Sequence, residues 1–497
     1  MNVIAIFDVG KTNKKVFLFS ERYEIVWQQS VCLPETVDDD GDPCEDITAL
    51  TAWLTETLRY ISHLPDFSVR AVNFSAYGAS LVHIGADGMP IGYLYNYLKP
   101  FPAPLRQQFY AQYGSEATLS LQTASPALDS LNSGLMLYRV KYDKPDLFRR
   151  IWYSLHLPQY LSYWVTRQYV SDLTSIGCHT MLWDFTRSDY HDWVVREDLV
   201  RLMGRIHPAD QPLNGILTDL LQPDSSPDDA SSGVDPPDKA ASRGRLPGNL
   251  MAVGIGLHDS SAALIPYLAS FQPSDAGSPF VLISTGTWCI SLNPFTTQPL
   301  TAEELQYDCL CFMQYLGNTV KASRLFAGHD HEQQTRRLAA HFAVPPDTYQ
   351  TVAYNPALHQ LTLTETTDGT PETGMQPAQL LWPSRFATRD LSAFATYEIA
   401  YHQLMLDIMA QQVVSTAFVL RGNESAASPV GRIFVDGGFS HNPVYMSLLA
   451  KAFPALEVWA ASVAQATALG AALAIHPHWN PHPIPPGLIS MTRYTDS

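Results

Sequence analysis

Asp8-Val9-Gly10-Lys11-Thr12-Asn13-Lys14-Lys15 lies between two apolar runs, Val3-Ile4-Ala5-Ile6-Phe7 before it and Val16-Phe17-Leu18-Phe19 after it. The flanks are β-branched and aromatic, so both read as strands. The pattern returns past the midpoint: Phe280-Val281-Leu282-Ile283, then Ser284-Thr285-Gly286-Thr287, then Trp288-Cys289-Ile290-Ser291-Leu292. A polar, glycine-containing turn between strands offers backbone N–H groups and hydroxyls, which suit phosphate oxygens. Two such turns predict two similar halves closing on one phosphate chain.

Gly10-Lys11-Thr12 invites a Walker A reading, but that motif needs a Gly where Ala5 stands. A P-loop also leads from strand into helix, whereas Val16-Phe17-Leu18-Phe19 returns as a strand. A Rossmann fingerprint fails on the same ground. The device is strand–turn–strand with a carboxylate, Asp8, at its entry. Beside a bound triphosphate, Asp8 would attract a divalent cation, and Thr12, Asn13 and Lys15 could donate to phosphate oxygens.

The chain has 497 residues, of which 46% are hydrophobic, enough for two large domains with real cores. Its formal net charge of −17 argues against a nucleic-acid surface and against a polybasic membrane patch. The six cysteines are scattered without a CxxC pair, and Cys309-Leu310-Cys311 is too little for a zinc site. We read them as free buried thiols in a reducing compartment. No signal peptide and no apolar run of about 18 residues is evident, so a cytoplasmic protein without a membrane span is expected.

Gln222 to Gly248 is rich in Pro, Ser, Asp and Gly and reads as a loop or linker. The domain boundary is placed there, giving domains 1–248 and 249–497. The acidic stretch Asp38 to Asp46 reads as a surface turn. Strands are expected at Ala71–Ser75, Ser80–Ile84 and Arg432–Val435. Helices are expected over Pro158–Arg167, Tyr397–Leu420, Val444–Phe453 and Ala464–Ile475. The fold class is α/β.

Five ordered segments together resemble the FGGY carbohydrate kinases. They are Asp8 to Lys15, Gly254-Ile255-Gly256-Leu257-His258-Asp259-Ser260-Ser261-Ala262, Ser284-Thr285-Gly286-Thr287-Trp288, Asp436-Gly437-Gly438-Phe439-Ser440-His441-Asn442-Pro443, and Ala466-Thr467-Ala468-Leu469-Gly470-Ala471-Ala472. The resemblance implies two actin-like (ribonuclease H-like) domains with an ATP cleft between them, an N-terminal sugar-binding domain and a C-terminal nucleotide-binding one. Within the family, His258-Asp259-Ser260-Ser261-Ala262 with Ser284 to Trp288 looks most like rhamnulokinases, with fuculokinase-like relatives also fitting. Leu157-Pro158-Gln159-Tyr160-Leu161 resembles their Leu-Pro-Asp-Tyr-Leu segment. This chain departs from the family pattern at Lys11, at Lys15 (often Arg), at Ser80 (an Asp in rhamnulokinases) and at Tyr95-Asn96-Tyr97.

The resemblance implies roles residue by residue. Asp259 is the catalytic base, placed at a helix start where partial positive charge favours a carboxylate anion. Gly10, Lys11, Thr12, Asn13, Lys15, Gly286, Thr287, Gly437, Gly438 and Asn442 contact ATP, and Asp8 holds Mg2+. Gly78, Asn96, His258 and Ser260 contact the sugar. The implied reaction is ATP-dependent phosphorylation of a small deoxyketose such as L-rhamnulose or L-fuculose. A pentulose or polyol kinase and a catalytically silent sugar- or nucleotide-binding regulator stay open as rivals. A homodimer also stays open.

Overall fold

The computed structural model describes residues 1–215, 251–271, 279–358, 383–422 and 429–495. The loop read at 222–248 lies outside the described residues. Two compact units result. Unit 1 comprises Met1–Ser270, Phe312–Asn318 and Ala464–Leu488, and unit 2 comprises Phe271–Cys311, Thr319–Val463 and Ile489–Ser497.

Unit 1 opens with β1 (Asn2–Val9), β2 (Lys14–Ser20), β3 (Ile25–Val31), α1 (Ile47–Ser62) and β4 (Ser68–Ala76). Later come α2 (Leu157–Thr166), β5 (Ala252–Val253), β6 (Leu257–His258) and α3 (Asp259–Ser270). Unit 2 follows with β7 (Phe280–Thr285), β8 (Cys289–Asn293), β9 (Thr319–Leu325), α4 (Ala327–Phe342), α5 (Tyr397–Leu420), β10 (Arg432–Gly437), α6 (Pro443–Ala452) and β11 (Glu457–Ser462). The chain returns to unit 1 with α7 (Ala466–Ala474) before β12 (Ser490–Tyr494).

The two sheets repeat one plan. In unit 1, β1 pairs antiparallel with β2, β2 antiparallel with β3, and β1 parallel with β4, to which β5 and β6 add in parallel. In unit 2, β7 pairs antiparallel with β8, β8 antiparallel with β9, and β7 parallel with β10, to which β11 adds in parallel. Each central strand is a continuous apolar run because helices cover both faces. Val3 to Phe7 of β1 are all fully buried, as are Phe280, Val281 and Ile283 of β7. The α/β expectation and the two hairpins therefore stand.

The division differs from the expected 248/249 boundary. β5, β6 and α3 lie beyond it in sequence yet belong with the first sheet, and α7 packs on α3, β1 and β4. A sheet needs its parallel edge completed and covered, and residues 252–270 and 466–474 supply that. The Asp38 to Asp46 stretch is not simply a surface turn. It joins a hairpin of Glu35–Val37 and Pro43–Glu45, and Asp38 is buried 2.5 Å from the ammonium of Lys99.

The membrane expectation needs one correction. Among the described residues, α5 is long and apolar enough to cross a bilayer. Its apolar side chains, including Ala400, Tyr401, Leu404, Met405 and Ile408, instead fill the core of unit 2.

In unit 1, α3 and α7 pack backbone against backbone at Gly470. A Cβ built on Gly470 would lie 1.8 Å from the carbonyl oxygen of Ala262. We expect Gly470→Ala to force the helices apart and to cost about 1–3 kcal/mol of stability. Denaturant unfolding of the full chain checks this, and an unchanged midpoint would refute so close a contact.

Candidate active site

Parallel strands end at the same edge of a sheet, and that edge is where open α/β sheets bind ligands. In unit 1 the register sets Asp8 of β1 opposite Ser75 of β4, and Ser75 opposite Leu257 of β6. Asp8, Tyr77-Gly78 and His258-Asp259 therefore come from three adjacent strand ends. Asp259 is the first residue of α3, and its Oδ1 accepts from the backbone N–H of Ser260 at 2.6 Å and from the Ser260 hydroxyl at 3.2 Å. The nitrogen Nε2 of His258 lies 3.3 Å from the same oxygen.

Asp8 carries the clearest electrostatic sign of a functional position. Burial pushes its carboxyl up to about 6; a hydrogen bond from Thr467 opposes this, the charge of Asp259 adds to it, and Lys15 and Ser75 oppose it. The Thr467 hydroxyl donates to Asp8 Oδ2 at 3.1 Å. Two carboxylates that repel each other at the end of a sheet are a donor set suited to a hard divalent cation. The expected Mg2+ ligand, Asp8, fits that group. Thr467 is not among the expected site residues. It belongs to the fifth ordered segment, and a hydroxyl amid alanines was the available signal.

The first turn is held from within. Lys14 is 2% exposed, and its ammonium donates to the carbonyls of Gly10 at 3.2 Å and Lys11 at 3.1 Å, with Glu45 at 2.5 Å. Tyr77 donates its hydroxyl to the other oxygen of Glu45. Of the four polar residues at this turn expected to contact phosphate, Lys11 pairs with Glu35 at 2.8 Å, and Thr12 and Asn13 are exposed. Lys15 stands opposite Asp8 in the β1–β2 register.

The expected sugar contacts divide. A Cβ on Gly78 would lie 2.7 Å from the ring of His258, so the glycine makes room for that ring. Ser260 is exposed beside Asp259. Asn96 closes a turn: its Nδ2 donates to the Pro43 carbonyl at 3.3 Å and its Oδ1 accepts from the Leu98 N–H at 3.0 Å. Gln159, from the Leu-Pro-Gln-Tyr-Leu segment, donates to the Gly256 carbonyl at 2.8 Å and so braces the strand that carries His258.

In unit 2, β7 and β10 end side by side, with Thr285 opposite Gly437. Gly437 has φ of 87°, and a Cβ there would lie 1.8 Å from the Thr285 carbonyl oxygen. The Thr285 hydroxyl accepts from the Phe439 N–H at 3.0 Å and donates to the Asp436 carbonyl at 2.5 Å. Thr287 accepts through its carbonyl from the His329 N–H at 3.0 Å. A cavity of about 540 Å³ opens here, lined by residues that include Gly286, Gly438, Asn442, His331, Tyr349 and Phe439. His331 sits edge-on to Phe439 and Tyr349, and burial lowers its imidazole to about 4, which leaves it neutral. Asn442 caps α6 by accepting from the Tyr445 N–H at 3.0 Å, and it lines the cavity as well.

Two family models match the chain: the N-terminal domain of the FGGY family of carbohydrate kinases over residues 3–197, and the carbohydrate kinase FGGY C-terminal domain over residues 277–483. No curated protein sequence matches. Among solved structures, a carbohydrate kinase from Novosphingobium aromaticivorans is 21% identical with a TM-score of 0.74, covering 99% of this chain and 96% of that one. A xylulose kinase from Lactobacillus acidophilus is 14% identical with a TM-score of 0.70, covering 100% and 94%. A gluconate kinase from the same organism is 14% identical with a TM-score of 0.69, covering 100% and 94%.

The Asp8 shift has a stability consequence with a definite sign. A carboxyl held near 6 in the fold and near 3.8 unfolded binds its proton more tightly when folded. The fold therefore loses stability as pH rises from about 4 to 6, by about 3 kcal/mol. In chelator, Asp8→Asn should unfold at a higher temperature than wild type at pH 8, with the difference closing toward pH 4. Added Mg2+ should stabilise wild type alone. Scanning calorimetry reads both effects.

Proposed function

Because this chain belongs to the FGGY family of carbohydrate kinases, and is therefore an enzyme that phosphorylates a carbohydrate, we propose a specific reading of its acceptor and its base. The acceptor is a small deoxyketose of the L-rhamnulose or L-fuculose kind, and Asp259 is the general base. The observation that carries this reading is the convergence of Asp8, Tyr77-Gly78 and His258-Asp259 at three neighbouring strand ends of one sheet. Phosphoryl transfer asks the protein to hold and neutralise phosphates, orient the acceptor hydroxyl and take its proton.

Each task has residues suited to it. The cavity of unit 2, glycine-lined at Gly286 and Gly438 with the neutral ring of His331 and Phe439 beside it, suits the flat base and sugar of adenosine. The Gly10 to Lys15 turn and the Gly286-Thr287 turn each offer backbone N–H groups and hydroxyls suited to phosphate oxygens. Mg2+, when bound, neutralises phosphate charge, and Asp8 is the residue that would hold it. Asp259 accepts the proton of the sugar hydroxyl as its oxygen attacks the γ-phosphorus and the bond to ADP breaks. Its Oδ1 is occupied by Ser260, which orients the carboxylate and leaves Oδ2 for the acceptor. His258 donates to a sugar oxygen.

The hexulose preference follows from the local likeness of residues 258–262 and 284–288 to rhamnulokinases. The departures at Ser80 and Tyr95-Asn96-Tyr97 fall in the same unit, so pentuloses and polyols belong in the test. ADP release over a panel of 6-deoxyketoses, pentuloses, aldonates and polyols should show highest kcat/KM with a 6-deoxyketose. Asp259→Asn should lower kcat by about 10²–10⁴ with nucleotide affinity unchanged. Turnover surviving in that variant removes Asp259 as base. A wild-type chain that binds nucleotide but turns over no sugar is the silent regulator.

A further inference from the structure

Lys14 is a cation on a core face. It opens β2 opposite Val9 of β1, and side chains alternate along a strand, so it shares its face with Val16 and Leu18. That face is filled by Val3, Ala5, Phe7 and Val9 of β1 and by Leu50, Leu54 and Leu58 of α1. Asp8 and Lys15, one residue away on each strand, belong to the other face, where Thr467 donates to Asp8. Lys14 therefore stands behind the first turn, away from the Asp8 side. Stability alone asks for an apolar side chain there, because a buried ion pair gains little or nothing over apolar packing.

Its partner comes from the acidic stretch. Glu45 is 4% exposed and ends the hairpin of Glu35–Val37 and Pro43–Glu45, and its Oε1 lies 2.5 Å from the Lys14 ammonium. The other oxygen of Glu45 accepts from the Tyr77 hydroxyl. The Glu45 backbone bridges to Leu94, and Asp46 beside it caps α1 by accepting from the N–H groups of Thr48 at 2.8 Å and Ala49 at 3.0 Å. The hairpin tip is anchored by the Lys99 ammonium, 2.5 Å from Asp38, 3.0 Å from Asp40 and 2.7 Å from Asp42. The carboxylate is thus fixed from both sides, and it fixes the ammonium.

The rest of that ammonium binds main chain: it donates to the carbonyls of Gly10 at 3.2 Å and Lys11 at 3.1 Å. A trans peptide unit is planar, with its C=O and N–H pointing opposite ways. The Gly10 carbonyl shares its unit with the Lys11 N–H, and the Lys11 carbonyl shares its unit with the Thr12 N–H. Two carbonyls drawn onto Lys14 therefore turn two successive N–H groups away from the core. Neither N–H has a hydrogen-bond partner among the described residues, and Thr12 is exposed. Successive main-chain N–H groups of this kind form an anion-binding concavity. The Lys11 ammonium is paired with Glu35 at 2.8 Å, so main chain supplies the donors here.

We propose that Lys14 is a positioning residue for the nucleotide phosphates: from inside the core it holds the Gly10 and Lys11 peptide units so that the N–H groups of Lys11 and Thr12 meet phosphate oxygen, and Glu45 holds Lys14. The inference rests on the reading of the first turn as a phosphate turn. It explains why a cation is kept where it does not face the ligand. The ammonium also polarises the two peptide units and strengthens them as donors. Paired with Glu45, it adds no net charge, so it aligns donors without attracting every anion.

The test is calorimetric titration of the full chain with two probes, ATP with Mg2+ and adenosine. Lys14→Met keeps the length of the side chain and removes its charge. We expect its Kd for ATP to rise about 10- to 100-fold, the worth of one charge-assisted hydrogen bond, and its Kd for adenosine to stay within about twofold. In turnover, KM for ATP should rise while KM for the sugar stays within about twofold.

Lys14→Met leaves the Glu45 carboxylate buried without its cation and should lower the denaturation midpoint. The double variant Lys14→Met with Glu45→Gln removes both charges. We expect it to regain that stability without regaining affinity for ATP, which separates the placing of the turn from the folding of the chain. A double variant that is as stable as wild type and binds ATP as tightly overturns the proposal. An equal loss for ATP and adenosine also overturns it, since that marks a general disturbance of the fold. Wild type that prefers ATP to adenosine, with a preference unaltered by Lys14→Met, overturns the proposal and leaves the phosphate turn standing. Wild type that binds ATP no more tightly than adenosine overturns the phosphate-turn reading itself, and the proposal with it.

Discussion

Two carboxylates must be kept close together at the end of one sheet, partly out of water. Asp8 sits near the end of β1, whose residues Val3 to Phe7 are fully buried, and Asp259 begins the helix after β6, on the far side of β4. Like charges in such a place repel, and Asp8 is pushed up to about 6, with burial the larger cause and Asp259 contributing. A fold selected for stability alone would place an apolar residue or an amide there. The rest of unit 1 is arranged to tolerate the repulsion. Thr467 donates to Asp8, and α7, which carries Thr467, reaches it because Gly470 lets its backbone touch Ala262 of α3. One glycine thus links the placement of both carboxylates, since α3 starts at Asp259.

Unit 2 uses the same strand plan for another purpose. The equivalent strand end, after β7, bears Gly286-Thr287 where unit 1 has a carboxylate-led turn. The neighbouring strand ends in Gly437-Gly438 rather than Tyr77-Gly78. Backbone donors and open space replace charged side chains. The cation Lys14, buried under the first turn, has its counterpart in a hydroxyl, Thr285, which ties β7 to the turn after β10. Duplicated topology therefore does not duplicate chemistry: one unit concentrates titrating groups, and the other exposes a cavity beside a neutral imidazole.

Much of this was legible in the residues. Apolar runs flanking polar glycine turns announced both hairpins, and the order of five short segments announced the fold. Local patterns encode local structure, so β1, β7, α2 and α5 match their expected spans closely. The division into units was less legible, because sheet completion by residues 252–270 and 466–474 is a long-range event with no local mark. The site residues that escaped notice share that property. Lys14 looks like one more basic residue of a turn until Glu45 is beneath it. Conversely, Asn96, expected to contact the sugar, closes its own turn.

The identity of the acceptor depends on this non-local chemistry. Phosphate turns and carboxylates recognise what all acceptors in the reaction share: a phosphate chain and a hydroxyl to deprotonate. They carry no information about the remainder of the sugar. Discrimination must come from buried polar atoms that a wrong acceptor would leave unpaired, since such atoms penalise a missing partner far more than an apolar wall penalises a missing methyl. Nδ1 of His258 and Nε2 of His179 are buried and unpartnered in this corner. His258 belongs to the Gly254 to Ala262 segment, whose order in the chain marks the fold and not the acceptor.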